Sequence, residues 1–90
     1  NTDEIKIQTT EDKKFKIIKE LKERLNQDKE KLKIKSIIDV DGVRVIFENG
    51  WGLVRASNTT PVIVTRFEAK DEKKLKEIQD VLMDFLKGIL

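Results

Sequence analysis

The stretch Asp41-Gly42-Val43-Arg44-Val45-Ile46-Phe47-Glu48-Asn49-Gly50-Trp51-Gly52-Leu53-Val54-Arg55 decides the fold. Val43, Val45 and Phe47 alternate with Arg44, Ile46 and Glu48, the period-two pattern of a strand. Asp41-Gly42 and Asn49-Gly50 punctuate it, and both dipeptides favour two-residue hairpin turns with positive φ. Ile37–Val40, Val43–Glu48 and Trp51–Arg55 therefore read as an antiparallel meander of three tightly linked strands. A fourth β-rich run, Val62–Phe67, begins directly after Pro61 and is expected to lie beside it.

Outward from this centre the period changes. Upstream, Ile5 and Ile7 alternate with Lys6 and Gln8 as a short strand. Thr9 or Thr10 is placed to cap a helix whose first turn holds Glu11 and Asp12, where the helix dipole favours anions. Phe15, Ile18, Leu21 and Leu25 follow at helical spacing through about Asn26, and 27–33 is a charged linker of unreadable conformation. Downstream, Asp71 caps a helix with Leu75, Ile78, Leu82, Phe85, Leu86 and Ile89 on one face. The order β-α-β-β-β-β-α predicts an α+β fold, a mostly antiparallel sheet with two helices on one face.

Ninety residues make one small domain. Residues 38% hydrophobic and 40% charged describe a soluble globular chain, and no apolar run approaches the ~20 residues a membrane span requires. Zero cysteines exclude disulfides and thiolate chemistry. No apolar signal-peptide core stands near the start, which suggests a cytoplasmic setting, and a first residue other than Met suggests a piece of a longer protein. The net charge of +2 is spread: ten basic against eight acidic groups in 1–34, four against four in 35–69, five against five in 70–90. That mixture is unlike the clustered basic face of a nucleic-acid binder.

Between Asn49 and Thr65 the chain carries a single charge, Arg55. Its planar fork of donors suits phosphate or carboxylate, and Ser57, Asn58 and Thr59 add hydroxyl and amide donors within four residues. On composition alone the plainer reading, a polar turn between strands, has the advantage. Asp39 and Asp41, two apart, have the spacing to share a cation on one side of a strand, but a turn aspartate beside a solvated one explains them better. Trp51 is more simply packing than a stacking platform, and Arg66 can pair with Glu68 or add positive potential. With no His, Cys or Tyr, the chain is poorly equipped for catalysis alone.

The runs Asp41-Gly42-Val43-Arg44-Val45, Gly50-Trp51-Gly52-Leu53-Val54-Arg55-Ala56-Ser57-Asn58-Thr59-Thr60-Pro61 and Arg66-Phe67-Glu68-Ala69 resemble the C-terminal domain of the α-D-phosphohexomutases, in particular their bacterial phosphomannomutase/phosphoglucomutase branch. The similarity covers about residue 2 to residue 90, and an Arg-x-Ser-x-Thr-x-Pro loop after a Gly-Trp strand is a specific signal. The resemblance implies a TATA-box-binding-protein-like fold and the fourth domain of a larger enzyme. It matches Arg55, Ser57, Asn58 and Thr59 to the substrate-phosphate loop. Many members carry Gly at the Asn58 position and Glu at the Thr60 position, so Asn-Thr-Thr is closer to the glucose/mannose branch than to a glucosamine mutase.

The chain has no Ser-His-Asn-Pro-type phosphoserine loop, Asp-x-Asp-x-Asp-type metal loop or Gly-Glu-x-Ser-Gly-type sugar loop. The resemblance therefore implies no cofactor in these residues. Mg2+ and a hexose 1,6-bisphosphate belong to the parent enzyme, whose other domains and hexose phosphates are the expected partners, with no nucleic acid and no membrane. The rival readings are a small nucleic-acid-binding module and a protein-interaction domain that docks through its last helix.

Overall fold

In the computed structural model, residues 4–90 are described; residues 1–3, which the single-domain expectation includes, lie outside the described residues. The order is β1 (Ile5–Gln8), α1 (Lys14–Gln27), β2 (Ile34–Ile38), β3 (Val43–Phe47), β4 (Gly50–Ala56), β5 (Val62–Ala69) and α2 (Glu72–Ile89). The five strands form one sheet in the order β1-β5-β4-β3-β2, and all four pairings are antiparallel. β1 and β2 lie at opposite edges, so α1 carries the chain across the sheet. The meander then returns β5 to the side of β1, where Gln8 faces Val62.

Alternation sorts the sheet into two faces. Val43, Val45, Gly52, Val54, Ala56, Ile63, Thr65 and Phe67 point one way, and all are buried. The apolar members join Ile17, Leu21 and Leu25 of α1 and Ile78, Leu82 and Leu86 of α2 in one core. Trp51, Leu53, Arg55, Arg44, Ile46 and Arg66 occupy the other face, where Arg44 lies over the Trp51 ring at 4.8 Å. Thr65 satisfies its buried hydroxyl by donating to the Ile5 carbonyl at 3.1 Å.

Several expectations shift. Neither Thr9 nor Thr10 caps α1 with a side chain; the N-cap is Lys13, which makes no such bond. A turn over 11–13 intervenes, with the Thr10 carbonyl accepting from the N–H groups of Lys13 and Lys14. Glu11 and Asp12 thus precede the helix. The buried stripe of α1 is Lys14, Ile17, Leu21 and Leu25, whereas Phe15 is 60% exposed. One helical residue is about 100° of rotation, so reading the stripe from Phe15 instead of Lys14 turns its first member out of the core.

β2 runs over Ile34–Ile38 rather than 37–40, because Ile34 is the buried anchor opposite Phe47 and Val40 is 92% exposed in the turn. Gly42 has the expected positive φ, 79°. Gly50 does not; it already belongs to β4 opposite Phe47, which leaves Glu48-Asn49 as the two-residue connection. Asp71 caps α2 as expected, its carboxylate accepting from the Lys74 N–H at 2.8 Å.

Candidate phosphate-binding loop

Antiparallel pairing brings three connections to one end of the sheet: 9–13 after β1, 39–42 before β3, and 57–61 between β4 and β5. The 57–61 loop is closed by the Ser57 N–H donating to the Val62 carbonyl at 3.0 Å. Within it the Ser57 hydroxyl oxygen accepts from the N–H groups of Thr59 (3.4 Å) and Thr60 (3.3 Å) and from the Thr60 hydroxyl (3.0 Å). Ser, Asn and Thr make such local turns readily, and Pro61 contributes no donor. Asn58, Thr59 and Thr60 are exposed and Ser57 is half-buried.

Arg55, the second-last residue of β4, lies on the face away from the helices. Ala56 turns into the core, and Ser57 returns to the side of Arg55. Among the described residues, no hydrogen bond or ion pair engages the Arg55 side chain. The structure therefore brings Arg55, Ser57, Asn58 and Thr59 together at one rim, with a guanidinium unengaged among the described residues beside an exposed run of polar side chains. That arrangement can accept an oxyanion by charge-assisted hydrogen bonds.

Gly42 gives this rim its shape. A Cβ there would lie 2.5 Å from both the Arg55 Cβ and the Val54 carbonyl oxygen, and φ of 79° already disfavours a side chain. Gly42→Ala is expected to lower stability by roughly 1–3 kcal/mol and to displace Arg55. Denaturant unfolding together with the amide shifts of Val54–Ala56 measures both effects, and unchanged shifts would contradict the close approach.

Sequence reasoning missed two participants. Lys14 is 1% exposed, yet its ammonium reaches the Thr60 carbonyl at 3.3 Å and the Glu11 carboxylate at 2.9 Å. Its signal was present: counting back in helical phase from Leu25, Leu21 and Ile17 lands on Lys14. Thr60, which the sequence reading leaves out of the grip, ties its hydroxyl to Ser57.

Other candidates part from the rim. Asp39 is paired with Lys22, whose ammonium, by hydrogen bond and charge, holds that carboxyl below the usual range. Among the described residues, no group of three or more His, Cys, Asp or Glu side chains that could hold a metal ion is found. Arg66 makes no ion pair with Glu68. A cleft of about 480 Å³ between the start of α1 and the end of α2 includes none of the loop residues. No helix among the described residues is long and apolar enough to cross a membrane.

Comparison with known proteins finds relatives along nearly the whole chain. Residues 4–85 match the phosphoglucomutase/phosphomannomutase C-terminal domain. A phosphomannomutase/phosphoglucomutase of Pseudomonas aeruginosa is 47% identical over 89 residues, 99% of this chain and 18% of that protein. The Pseudomonas putida protein of the same name is 48% identical over 81 residues, 90% of this chain and 16% of its own length. A crystal structure of a Burkholderia thailandensis phosphoglucomutase/phosphomannomutase family protein superposes with a TM-score of 0.76 at 34% identity, covering 99% of this chain and 18% of the other. The chain spans less than a fifth of the length of these relatives. With nearly all of its residues matched at this level, the chain belongs to the phosphoglucomutase/phosphomannomutase family, as its C-terminal domain.

Proposed function

We infer that this chain is the phosphate-holding domain of a phosphomannomutase/phosphoglucomutase that interconverts hexose 1-phosphates and hexose 6-phosphates, with Arg55, Ser57, Asn58 and Thr59 as the grip. The observation that carries the reading is the Arg55 guanidinium, unengaged among the described residues and set at the strand end from which Ser57–Pro61 springs.

A guanidinium and a phosphate match two donors to two oxygens, and the loop's amides and hydroxyls can take the remaining oxygens. Gripping the phosphate that does not react turns binding energy into placement of the one that does. A rim that reads phosphate alone accepts a hexose phosphate in either orientation. The transfer itself requires a phosphoserine, a hexose 1,6-bisphosphate and Mg2+ on the remainder of the enzyme, and none of its steps is assigned to side chains of these ninety residues.

The chain alone is therefore expected to bind glucose 1-phosphate and mannose 1-phosphate alike, with a Kd around 1 mM, worth about 4 kcal/mol, and unphosphorylated hexoses far more weakly. Calorimetry measures this. Micromolar, sugar-selective binding would overturn the reading, as would phosphoryl transfer by this chain given Mg2+ and glucose 1,6-bisphosphate.

A further inference from the structure

Lys14 is the only buried charged side chain among the described residues. It stands on the core-facing stripe of α1, in phase with Ile17, Leu21 and Leu25, where an aliphatic residue would pack without the cost of desolvating an ammonium. Its partners show where that charge is directed. One is the Glu11 carboxylate, three residues earlier and 65% exposed. The other is the carbonyl of Thr60, 46 residues later. The Phe15 ring lies under the same ammonium at 5.2 Å.

The Thr60 carbonyl also accepts from the Val62 N–H at 2.9 Å, and the next carbonyl, of Pro61, accepts from the Thr9 N–H at 2.8 Å. The exit of the loop is thus fixed by three donors, and Lys14 is the only charged one. Earlier in the loop, the N–H groups of Thr59 and Thr60 point to the Ser57 hydroxyl over long distances, 3.4 and 3.3 Å. Such weak bonds are readily exchanged for an anion's oxygen. The held carbonyl lies in the Thr60–Pro61 peptide, which is joined through the single Thr60 Cα to the peptide carrying the Thr60 N–H, so anchoring it narrows the rotation left to that amide.

We propose that Lys14 is a positioning residue of the phosphate grip: its buried ammonium anchors the Thr60 carbonyl, aims the Thr59 and Thr60 amides at one point, and sets a positive charge behind the loop. The proposal rests on the phosphate-holding role of the loop. Glu11 offsets that charge only in part, because its carboxylate faces water, where attraction is screened.

The test is Lys14→Met in the 90-residue chain, followed by amide shifts and by titration with glucose 1-phosphate. Met keeps the apolar stem and removes a desolvated ammonium, and the Glu11 carboxylate left behind is 65% exposed, so no buried charge is stranded. The unfolding midpoint is therefore expected to hold or rise, while the amides of Thr59, Thr60 and Val62 move and the affinity falls three- to tenfold. Glu11→Gln, which leaves the bond to Thr60 in place, should keep those shifts and tighten binding up to threefold. A variant that loses stability but binds as tightly as the parent would overturn the proposal and make Lys14 structural.

Should Lys14→Met fail to fold, the Nζ resonance of Lys14 in the unaltered chain is the readout: it should shift with added glucose 1-phosphate, and a resonance that stays fixed at saturation also overturns the proposal. Arg55→Ala separates the two ideas. If that variant keeps full affinity, the phosphate reading of the loop fails, whereas the effect of Lys14→Met on the ligand-free amides still reports whether Lys14 shapes the loop.

Discussion

Arg55→Ala is expected to leave the fold intact and to reduce the affinity for glucose 1-phosphate by about 10- to 100-fold, the equivalent of the ~1.5–3 kcal/mol of a hydrogen bond to a charged group. The fold should survive for stated reasons. The alanine keeps the Cβ that meets the Gly42 backbone. The side chain removed lies on the face away from the core, and among the described residues it leaves no ion pair or hydrogen bond broken. In the parent chain, amide shifts on titration with glucose 1-phosphate should cluster at Arg55–Thr60. In the variant they should stay nearly flat through several millimolar ligand. Shifts that cluster elsewhere, or persist in the variant, would move the site away from this rim.

Much of the fold was legible because local signals agreed with the packing. The alternation of Val43, Val45 and Phe47, the breaker before Val62 and the Asp71 cap each carry their own physics, and each element appears where they place it. The errors fell where two local readings competed. Phe15 and Lys14 compete for the first position of the α1 stripe, and hydrophobicity favoured the wrong one, since the lysine buries its stem while its ammonium finds two oxygens 46 residues and three residues away. Ile34 and Val40 compete for β2. Only the register opposite β3 decides between them, and that is a tertiary fact.

The candidate site was half legible for the same reason. Arg55 and the polar run after it stand out by isolation of charge. The proximity of Thr9, Lys14 and Gly42 to the loop comes from the strand order, which no short window of sequence contains.

Leu82→Ala is expected to cost roughly 2–5 kcal/mol, a large share of the ~5–15 kcal/mol that holds a small domain together. Leu82 is fully buried at the centre of the seam between α2 and the sheet. Its position is fixed by a residue with no side chain: a Cβ on Gly52 would come within 2.3 Å of the Leu82 Cδ1, so that methyl packs directly on the β4 backbone. The two sites should therefore couple. Gly52→Ala alone forces Leu82 aside and should cost about 1–3 kcal/mol, with no conformational obstacle because Gly52 lacks a positive φ. In a chain already carrying Leu82→Ala, the same added methyl occupies part of the void. The Phe67 ring, 3.1 Å from that Cβ, limits how much is recovered. The double variant should then be about 1–2 kcal/mol more stable than the sum of the single losses predicts. Denaturant unfolding of the four chains measures the coupling. A value under about 0.5 kcal/mol, or a loss under about 1 kcal/mol for Leu82→Ala alone, would mean that α2 does not seat on Gly52, and would return its apolar face to the pool of surfaces available to a protein partner.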